Sequence, residues 1–380
     1  SFLQRMPPTI APALMEAHGL QPQMIGYFSA SNICGSIIFL VMGAPLLRRY
    51  GSVRALQIGL CLGAVGALVF MLPFTPLLIA GTLLMGLGYG PSTPAGSDIL
   101  QRHAPARHRV LIFSIKQAGV PAGGILAGLL LPQLIEIGGL ELCLLACCLF
   151  ALATALLITP YRRLDPPQDR SQNIDFASFL SFENIKKPFA ALTTHPDLFK
   201  LALSGTCLAV GQGVWIAFLV TLLVKLLGMS LTTAGLYFSI MQITGVFGRI
   251  LLGFIADRLG SGRTTLRLNA VLSALTTFAL IFLDQDWPLW AIATLCGTAG
   301  VTVTSWNGVQ IAEIARLAPL EHLREASSGA TLILFCGYII GPVGFALSMA
   351  WTGGVVVGLL ATCVLISLSL LLMPAERTSS

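Results

Sequence analysis

The stretch that decides the fold is residues 245–263, GVFGRILLGFIADRLGSGR, an apolar run that contains Arg249 and ends in a charged loop with Asp257. Residues 35–54, GSIIFLVMGAPLLRRYGSVR, repeat this pattern about 210 positions earlier, with Leu47 in place of the acid. Two such copies predict an internal duplication. Because six apolar segments separate them, both copies have the same orientation, and the halves are expected to be related by an axis along the membrane normal.

The composition is that of an integral membrane protein. Of the 380 residues, 55% are hydrophobic and 10% are charged, with a mean hydropathy of +0.84, whereas a soluble domain carries about 25% charged residues. The net charge of +6 comes from short breaks between apolar runs, so it indicates membrane topology and predicts no nucleic-acid site. The nine cysteines lie in apolar runs without metal-ligand spacing, which favours a packing role and predicts no metal.

Apolar runs of about 20 residues predict twelve membrane-spanning helices. The predicted spans are 1–18, 23–47, 54–73, 76–102, 108–135 and 140–159 in the first half, and 197–227, 231–257, 264–283, 288–315, 325–351 and 354–373 in the second. The expected domains are a six-helix bundle over 1–160, a cytoplasmic linker over 161–196 and a second six-helix bundle over 197–380. Alignment of the first span with the seventh predicts that span 1 is partly missing at its N-terminus.

The loops alternate in charge. Arginine and lysine are concentrated in the loops after spans 2, 4, 8 and 10 and in the central linker, whereas the opposite loops are mainly acidic. The positive-inside rule therefore predicts that both termini are cytoplasmic.

The linker contains a helical pattern of apolar residues beside the basic pair at 186–187. The apolar positions are Ile174, Phe179, Phe182, Ile185 and Phe189. The pattern predicts an interfacial helix on the inner leaflet, and a partner-binding helix is the alternative.

The loop after span 8 resembles the signature of the major facilitator superfamily, Gly-x-x-x-Asp-Arg-x-Gly followed by a basic residue. Here the signature runs from Gly253 to Gly260 and is followed by Arg263. The resemblance covers essentially the whole chain. It implies an all-α membrane protein of two pseudo-symmetric six-helix bundles, a secondary transporter with no enzymatic activity and no cofactor, and rocker-switch alternating access. A monomer in the inner membrane of a bacterium is expected.

The chain departs from the family's patterns in four places. Leu47 replaces the signature acid in the first half, and Thr82 stands where an arginine usually precedes the Gly-x-Gly of helix 4. The stretch 337–342 looks like the family's antiporter motif but lies in the other half, so it does not imply antiport. Phe39 stands opposite Arg249, and because nitrate porters of the family carry arginines at both positions, this argues against nitrate.

Three cations lie well inside predicted spans: Arg5, Lys116 and Arg249. A charge near the bilayer centre costs at least about 2.5–3.5 kcal/mol on insertion scales, so it usually faces a cavity and marks function. No carboxylate falls at comparable depth in the sequence, which predicts an anionic substrate, expected to be a carboxylate. Structural bonds to neighbouring helices are the alternative for each cation.

The resemblance places further polar and aromatic residues around the central cavity, where they are expected to bind the substrate with the three cations. They are Tyr89, Gln117, Gln212, Trp215, Gln242, Trp306, Asn307, Gln310 and Tyr338. Packing is the alternative role for any one of them.

A second group of charges resembles the family's cytoplasmic gate, which holds the two halves together when the site opens outward. The expected gate residues are Arg48, Asp98, Arg102, Asp257, Arg258, Arg263, Glu313 and Arg316. Solvation of helix ends is the alternative explanation for these charges.

The sequence leaves three functions open. The first is a transporter of a small organic anion, with protons as a candidate coupling ion. The second is a multidrug-type exporter of amphipathic or hydrophobic compounds. The third is a non-transporting membrane sensor.

Overall fold

The computed structural model describes residues 1–105, 108–165, 183–319 and 323–374, and every regular element within these ranges is helical. The first half contains α1 (Phe2–Thr9), α2 (Ala11–His18), α3 (Met24–Met42), α4 (Ala44–Tyr50), α5 (Ser52–Val69), α6 (Thr75–Tyr89), α7 (Ser92–His103), α8 (Arg109–Leu157) and a 3-10 helix (Thr159–Leu164). The second half contains α9 (Glu183–Thr193), α10 (Pro196–Leu227), α11 (Leu231–Leu259), α12 (Gly262–Ala279), a 3-10 helix (Leu280–Phe282), α13 (Leu289–Val303), α14 (Asn307–Leu317), α15 (Leu323–Thr352) and α16 (Val356–Leu372).

Eight of the described helical stretches are long and apolar enough to cross a membrane, with α8 counted once. Inside α8 the backbone leaves the helical conformation at Gly138 and Gly139, and Gly139 has a φ of 72°. This break separates two spans and lies in the gap between the predicted spans 108–135 and 140–159. The pairs α1–α2 and α6–α7, together with α16, account for the remaining spans, so the predicted all-α membrane fold is confirmed.

Several predicted spans are two helices in the structure. Span 1 breaks at Ile10. Pro12 lies in the first turn of α2, and two further prolines lie inside α1. Span 2 breaks at Gly43, span 4 at Gly90-Pro91, and span 10 over 304–306. Proline removes a backbone donor and clashes with the preceding turn, and glycine adds freedom, so both residues interrupt helices inside membranes where neighbouring groups satisfy the backbone.

The contacts divide the described chain into two compact units. Unit 1 comprises Ser1–Leu20 and Ser31–Asn184, and unit 2 comprises Gln21–Ala30 and Ile185–Ser380. The division after residue 184 falls within the predicted linker.

Unit 1 is organised around α5, which packs against both α6 and α8. Small residues allow the close approach: a Cβ added to Gly88 of α6 would lie 3.0 Å from the backbone nitrogen of Gly63 of α5. Leu3 of α1 packs against a small apolar cluster formed by Ala64 and Ala151. Close packing of this kind is how membrane helices associate, because lipid is as apolar as their side chains.

Unit 2 is organised around α10, the most enclosed span, of which 89% is buried in its most apolar window. It packs against α15 and α16, while α11 packs against α13. The fully buried side chains Leu198 and Leu201 of α10 meet Trp306 and Ile366 in one apolar cluster.

The described part of the predicted interfacial helix is α9. Its buried residues Ala191 and Leu192 join the apolar cluster of unit 2, and a Cβ added to Gly329 of α15 would lie 2.8 Å from the carbonyl carbon of Pro188. The lysines at 186–187 are exposed on its other side. The predicted positions Ile174, Phe179 and Phe182, and the side chain of Ile185, lie outside the described residues. The location of α9 on the inner leaflet stays a prediction.

Candidate functional site

Three polar side chains from three helices of unit 2 form a continuous hydrogen-bonded chain. Asn307 of α14 donates from Nδ2 to the hydroxyl of Tyr338 on α15 over 3.1 Å. That hydroxyl donates to Oε1 of Gln212 on α10 over 2.9 Å. All three residues were predicted from the sequence to bind substrate, and the structure brings them together in one cluster.

The sequence places this cluster through two local features. The break over 304–306 makes Asn307 the first residue of α14, and Ser305 in the break donates to the carbonyl oxygens of Gly300 and Gly245. Close packing of α15 on α10 then brings Tyr338 to Gln212. A Cβ added to Gly337 would overlap the carbonyl oxygen of Thr206 and lie 2.9 Å from Ala209 Cβ. Only glycine permits this approach.

Gln310 lies one turn beyond Asn307 on α14 and is fully buried. Its Nε2 donates to the carbonyl oxygen of Leu201 on α10. Asn307 Oδ1 and Gln310 Oε1 are both buried, and neither receives a hydrogen bond from the described residues. The nitrogen of each amide therefore donates within the protein, while its oxygen remains as an acceptor.

Three other predicted substrate residues of unit 2 are buried inside the bundle. Trp215 donates from its indole nitrogen to the hydroxyl of Thr277 over 3.0 Å, and Trp306 donates to the carbonyl oxygen of Val303 over 3.0 Å. Gln242 of α11 is also buried, with 3% of its surface exposed. Both indoles are buried, and each donates its hydrogen bond to a group within unit 2.

Arg249 is half-buried on α11, four residues after Gly245. The helix packs closely at this face: a Cβ added to Gly245 would lie 3.4 Å from the carbonyl oxygen of Gly300, and one added to Gly248 would lie 2.7 Å from the Cα of Val301. Residues four apart share a helix face. The face of α11 that carries Arg249 therefore packs toward the end of α13, just before the break that leads to Asn307.

The predicted substrate residues of unit 1 are more dispersed. Lys116 of α8 donates from Nζ to the carbonyl oxygen of Thr93 over 3.0 Å and to the hydroxyl of Ser97 over 2.8 Å. It therefore connects α8 to α7. Arg5 in α1 and Tyr89 at the end of α6 are half-buried, whereas Gln117 is exposed.

Three of the predicted gate residues of unit 2 form a charge cluster. Glu313 of α14 lies 3.5 Å from Nε of Arg263 and accepts a hydrogen bond of 2.8 Å from Arg316. The side chains of Glu313 and Arg263 are 8% and 5% exposed, whereas that of Arg316 is 60% exposed. Asp257 and Arg258 are exposed at the end of α11, where Arg258 lies 5.0 Å over the ring of Phe254.

Unit 1 holds a more exposed counterpart. Asp98 of α7 pairs with Arg102 one turn later, and both side chains are more than a third exposed, at 39% and 37%. Asp98 also accepts a short hydrogen bond of 2.5 Å from the hydroxyl of Ser52, the first residue of α5. Arg48 lies in α4, and its side chain is outside the part that the structure describes.

Sequence reasoning missed Asp165, which follows the 3-10 helix at the end of the last span of unit 1. Its carboxylate accepts from the backbone nitrogen of Ser52 over 2.9 Å and from that of Val53 over 3.1 Å. A carboxylate at a helix N-terminus satisfies unpaired donors and interacts favourably with the helix dipole. Asp165 therefore caps α5 directly after the repeated loop in which Leu47 replaces the acid. The available signal was an aspartate two residues after the basic pair at 162–163, which the span boundaries assigned to the linker.

The chain has the scaffold of a secondary transporter, with two helical units, twelve spans, a duplicated charged loop and polar clusters within the spans. The chain belongs to the major facilitator superfamily, because the family's model matches residues 1–342. It is a multi-pass membrane transporter of small molecules and not an enzyme.

Relatives and solved structures agree with this assignment. An uncharacterised MFS-type transporter from Mycobacterium tuberculosis is 25% identical over 313 residues, which cover 81% of this chain and 67% of the relative. The 4-hydroxybenzoate transporter PcaK of Pseudomonas aeruginosa is 24% identical over 375 residues, covering 92% of this chain and 81% of the relative. The crystal structure of a D-xylose–proton symporter has a TM-score of 0.75 at 17% identity and covers 98% of this chain and 92% of its own, which is a similarity of fold.

Proposed function

We propose that this protein moves a small organic anion, most simply a carboxylate, across the bacterial inner membrane by rocker-switch alternating access. Both termini lie in the cytoplasm in this proposal, and protons are the candidate coupling ion. Within unit 2, the proposed binding residues are Arg249 and the Asn307–Tyr338–Gln212 chain.

The observation that carries the proposal is the position of Arg249. It is half-buried within an apolar span of 29 residues, on the face that packs toward the end of α13. A guanidinium inside a membrane protein is stabilised by a carboxylate, which it binds through two parallel N–H donors.

The polar chain beside α14 supplies the second part of the site. Tyr338 is half-buried and hydrogen-bonded on both sides, so its hydroxyl and ring are fixed in position. A fixed aromatic ring with polar groups around it suits a small planar anion. The similarity to a 4-hydroxybenzoate transporter supports this reading, because that relative's substrate is an aromatic carboxylate.

The charge clusters at the helix ends supply the proposed gate. In unit 2 the Arg263–Glu313 pair is buried, and in unit 1 Asp98 connects α7 to the start of α5. Clusters of this kind hold the helix ends of each unit rigid, so that each unit moves as one body. Asp257 and Arg258 are exposed, which leaves them available for contacts that form in one state and break in the other.

The test is ligand binding to the purified full-length chain in detergent. A thermal-shift screen of organic anions, beginning with benzoate and 4-hydroxybenzoate, is followed by titration calorimetry with Arg249→Ala and the control Arg258→Ala. The control removes the same charge from the same helix at an exposed position. Loss of a charge-assisted bond of about 1.5–3 kcal/mol predicts a roughly 10- to 150-fold weaker affinity for Arg249→Ala and little change for Arg258→Ala.

Two results contradict the proposal. One is that anions stabilise neither the wild-type chain nor the control while unrelated hydrophobic compounds do, which favours a multidrug-type exporter. The other is that Arg249→Ala binds anions as tightly as Arg258→Ala. Uptake of a binding anion into proteoliposomes then distinguishes a transporter from a sensor, since a sensor binds its ligand without accumulating it.

A further inference from the structure

Two amide oxygens on α14 are the feature of unit 2 that the anion site does not yet use. Asn307 Oδ1 and Gln310 Oε1 are buried, and among the described residues neither has a hydrogen-bond donor. The nitrogen of each amide is already engaged, with the Tyr338 hydroxyl over 3.1 Å and with the Leu201 carbonyl oxygen. The two oxygens need hydrogen-bond donors, and an ionised carboxylate has no donor group.

The two amide side chains are neighbours on one helix, and open space lies at the residue after Asn307. Residues three apart on a helix are neighbours, with Cβ atoms about 5–6 Å apart. Gln310 is fully buried, whereas the side chain of Asn307 is partly exposed. Next to Asn307, a Cβ built on Gly308 would meet no atom within 4 Å. We therefore expect a ligand group that enters beside Gly308 to reach Asn307 before the more deeply buried Gln310.

We propose that the substrate is a hydroxylated carboxylate whose hydroxyl donates to Asn307 Oδ1, with Gln310 Oε1 as the acceptor for a second hydroxyl. This inference rests on the proposed function, in which Arg249 binds the carboxylate of the substrate. It adds the residues that bind the hydroxyl groups of the same substrate. A buried acceptor left without a donor loses hydrogen bonding to water and gains nothing in return. The site therefore discriminates against an analogue that lacks the hydroxyl.

The experiment compares ligands that differ only in hydroxyl groups. Dissociation constants for benzoate, 3-hydroxybenzoate, 4-hydroxybenzoate and 3,4-dihydroxybenzoate are measured by calorimetry on the full-length chain. The variants are Asn307→Leu and Gln310→Met, which keep side-chain size and remove the amide, and Asn307→Asp, which keeps acceptor oxygens. Thermal unfolding of each variant checks that it is folded.

In the wild-type chain we expect at least one hydroxylated ligand to bind roughly 10- to 100-fold more tightly than benzoate. Asn307→Leu should reduce this preference, measured as the ratio of two dissociation constants in the same variant, to about threefold or less. The ratio is the readout because the substitution also removes the hydrogen bond to Tyr338 and so affects the affinity for every ligand. Gln310→Met should reduce only the additional gain from the second hydroxyl. If Asn307→Leu fails to fold, Asn307→Asp must retain a preference for hydroxylated ligands.

The inference is overturned if benzoate binds as tightly as its hydroxylated forms, or if Asn307→Leu keeps the full preference. It is also overturned if replacing choline chloride by sodium chloride enhances binding and Asn307→Leu removes that effect, since the oxygens then coordinate a cation. Failure of the proposed function looks different: none of the four ligands binds, or Arg249→Ala binds all four as tightly as the wild-type chain does. Binding that depends on Arg249 without any gain from hydroxyls refutes this inference alone.

Discussion

Replacing Gly337 by alanine should loosen α15 from α10 and with it the polar chain of unit 2. The added Cβ would lie 2.9 Å from Ala209 Cβ, whereas ordinary van der Waals contact begins at 3.4 Å. The helices must therefore separate by roughly 0.5 Å or more, and the overlap with the Thr206 carbonyl oxygen acts in the same direction. Overpacking of this kind costs about 1–3 kcal/mol.

The same displacement reaches the adjacent residue, Tyr338. Its hydrogen bond to Gln212, now 2.9 Å, would lengthen to roughly 3.4 Å, outside the range of about 2.5–3.0 Å found for good hydroxyl–oxygen bonds. Gly337→Ala should therefore lower the thermal midpoint of the detergent-purified protein and weaken 4-hydroxybenzoate binding by roughly three- to tenfold, which corresponds to one net hydrogen bond.

The matched control is Gly344→Ala, two turns further along the same helix. A Cβ at Gly344 would meet nothing within 4 Å, so alanine there should be neutral or slightly stabilising, because it is the better helix former. Scanning fluorimetry measures the midpoints, and calorimetry measures the dissociation constants. If both variants have the same midpoint and the same affinity, close packing of α15 on α10 does not hold Tyr338 in place.

Two further predictions concern the charge clusters. Arg263→Ala should lower the free energy of unfolding by about 3–5 kcal/mol, because it leaves the buried carboxylate of Glu313 without its enclosed partner. Arg316→Ala removes a charge that is 60% exposed and should cost at most about 1 kcal/mol. Equal losses of the two variants in chemical denaturation would contradict this difference in burial. Asp165→Ala should lower the free energy of unfolding by about 1 kcal/mol, because it removes the cap of α5. The control Asp286→Ala, at an exposed loop residue, should leave the thermal midpoint unchanged. An unchanged thermal midpoint for Asp165→Ala would rule out the capping role.

The spans could be predicted from the sequence because lipid imposes a simple rule. A segment of about 20 apolar residues has few alternatives to a helix in a bilayer, and glycines at 138–139 separated two such segments. The breaks at Ile10 and Gly43 could not be predicted in the same way. Proline and glycine are frequent throughout these spans, and whether one of them interrupts a helix depends on the neighbours that satisfy the backbone.

The residue types of the candidate site were predictable, but their pairing was not. Gln212 and Tyr338 are 126 positions apart, and composition gives no information on which polar side chain faces which. Trp215 and Trp306 were expected around the substrate, and nothing in the sequence indicated that their indole nitrogens bond to Thr277 and to the Val303 carbonyl within the bundle. An aromatic residue that lines a cavity and one that packs behind the wall have the same periodicity in a sequence that is apolar on all sides.

The unequal burial of the two carboxylate clusters gives the duplicated halves different sensitivity to ionic strength. Glu313 and Arg263 are enclosed, with 8% and 5% of their side chains exposed, whereas Asp98 and Arg102 are 39% and 37% exposed. Salt screens exposed charges strongly at physiological concentration and buried pairs much less. A rise in salt concentration therefore weakens the ion pair of unit 1 and leaves that of unit 2 almost intact. The ionic strength of the surrounding solution can thus affect one half of the repeat without affecting the other.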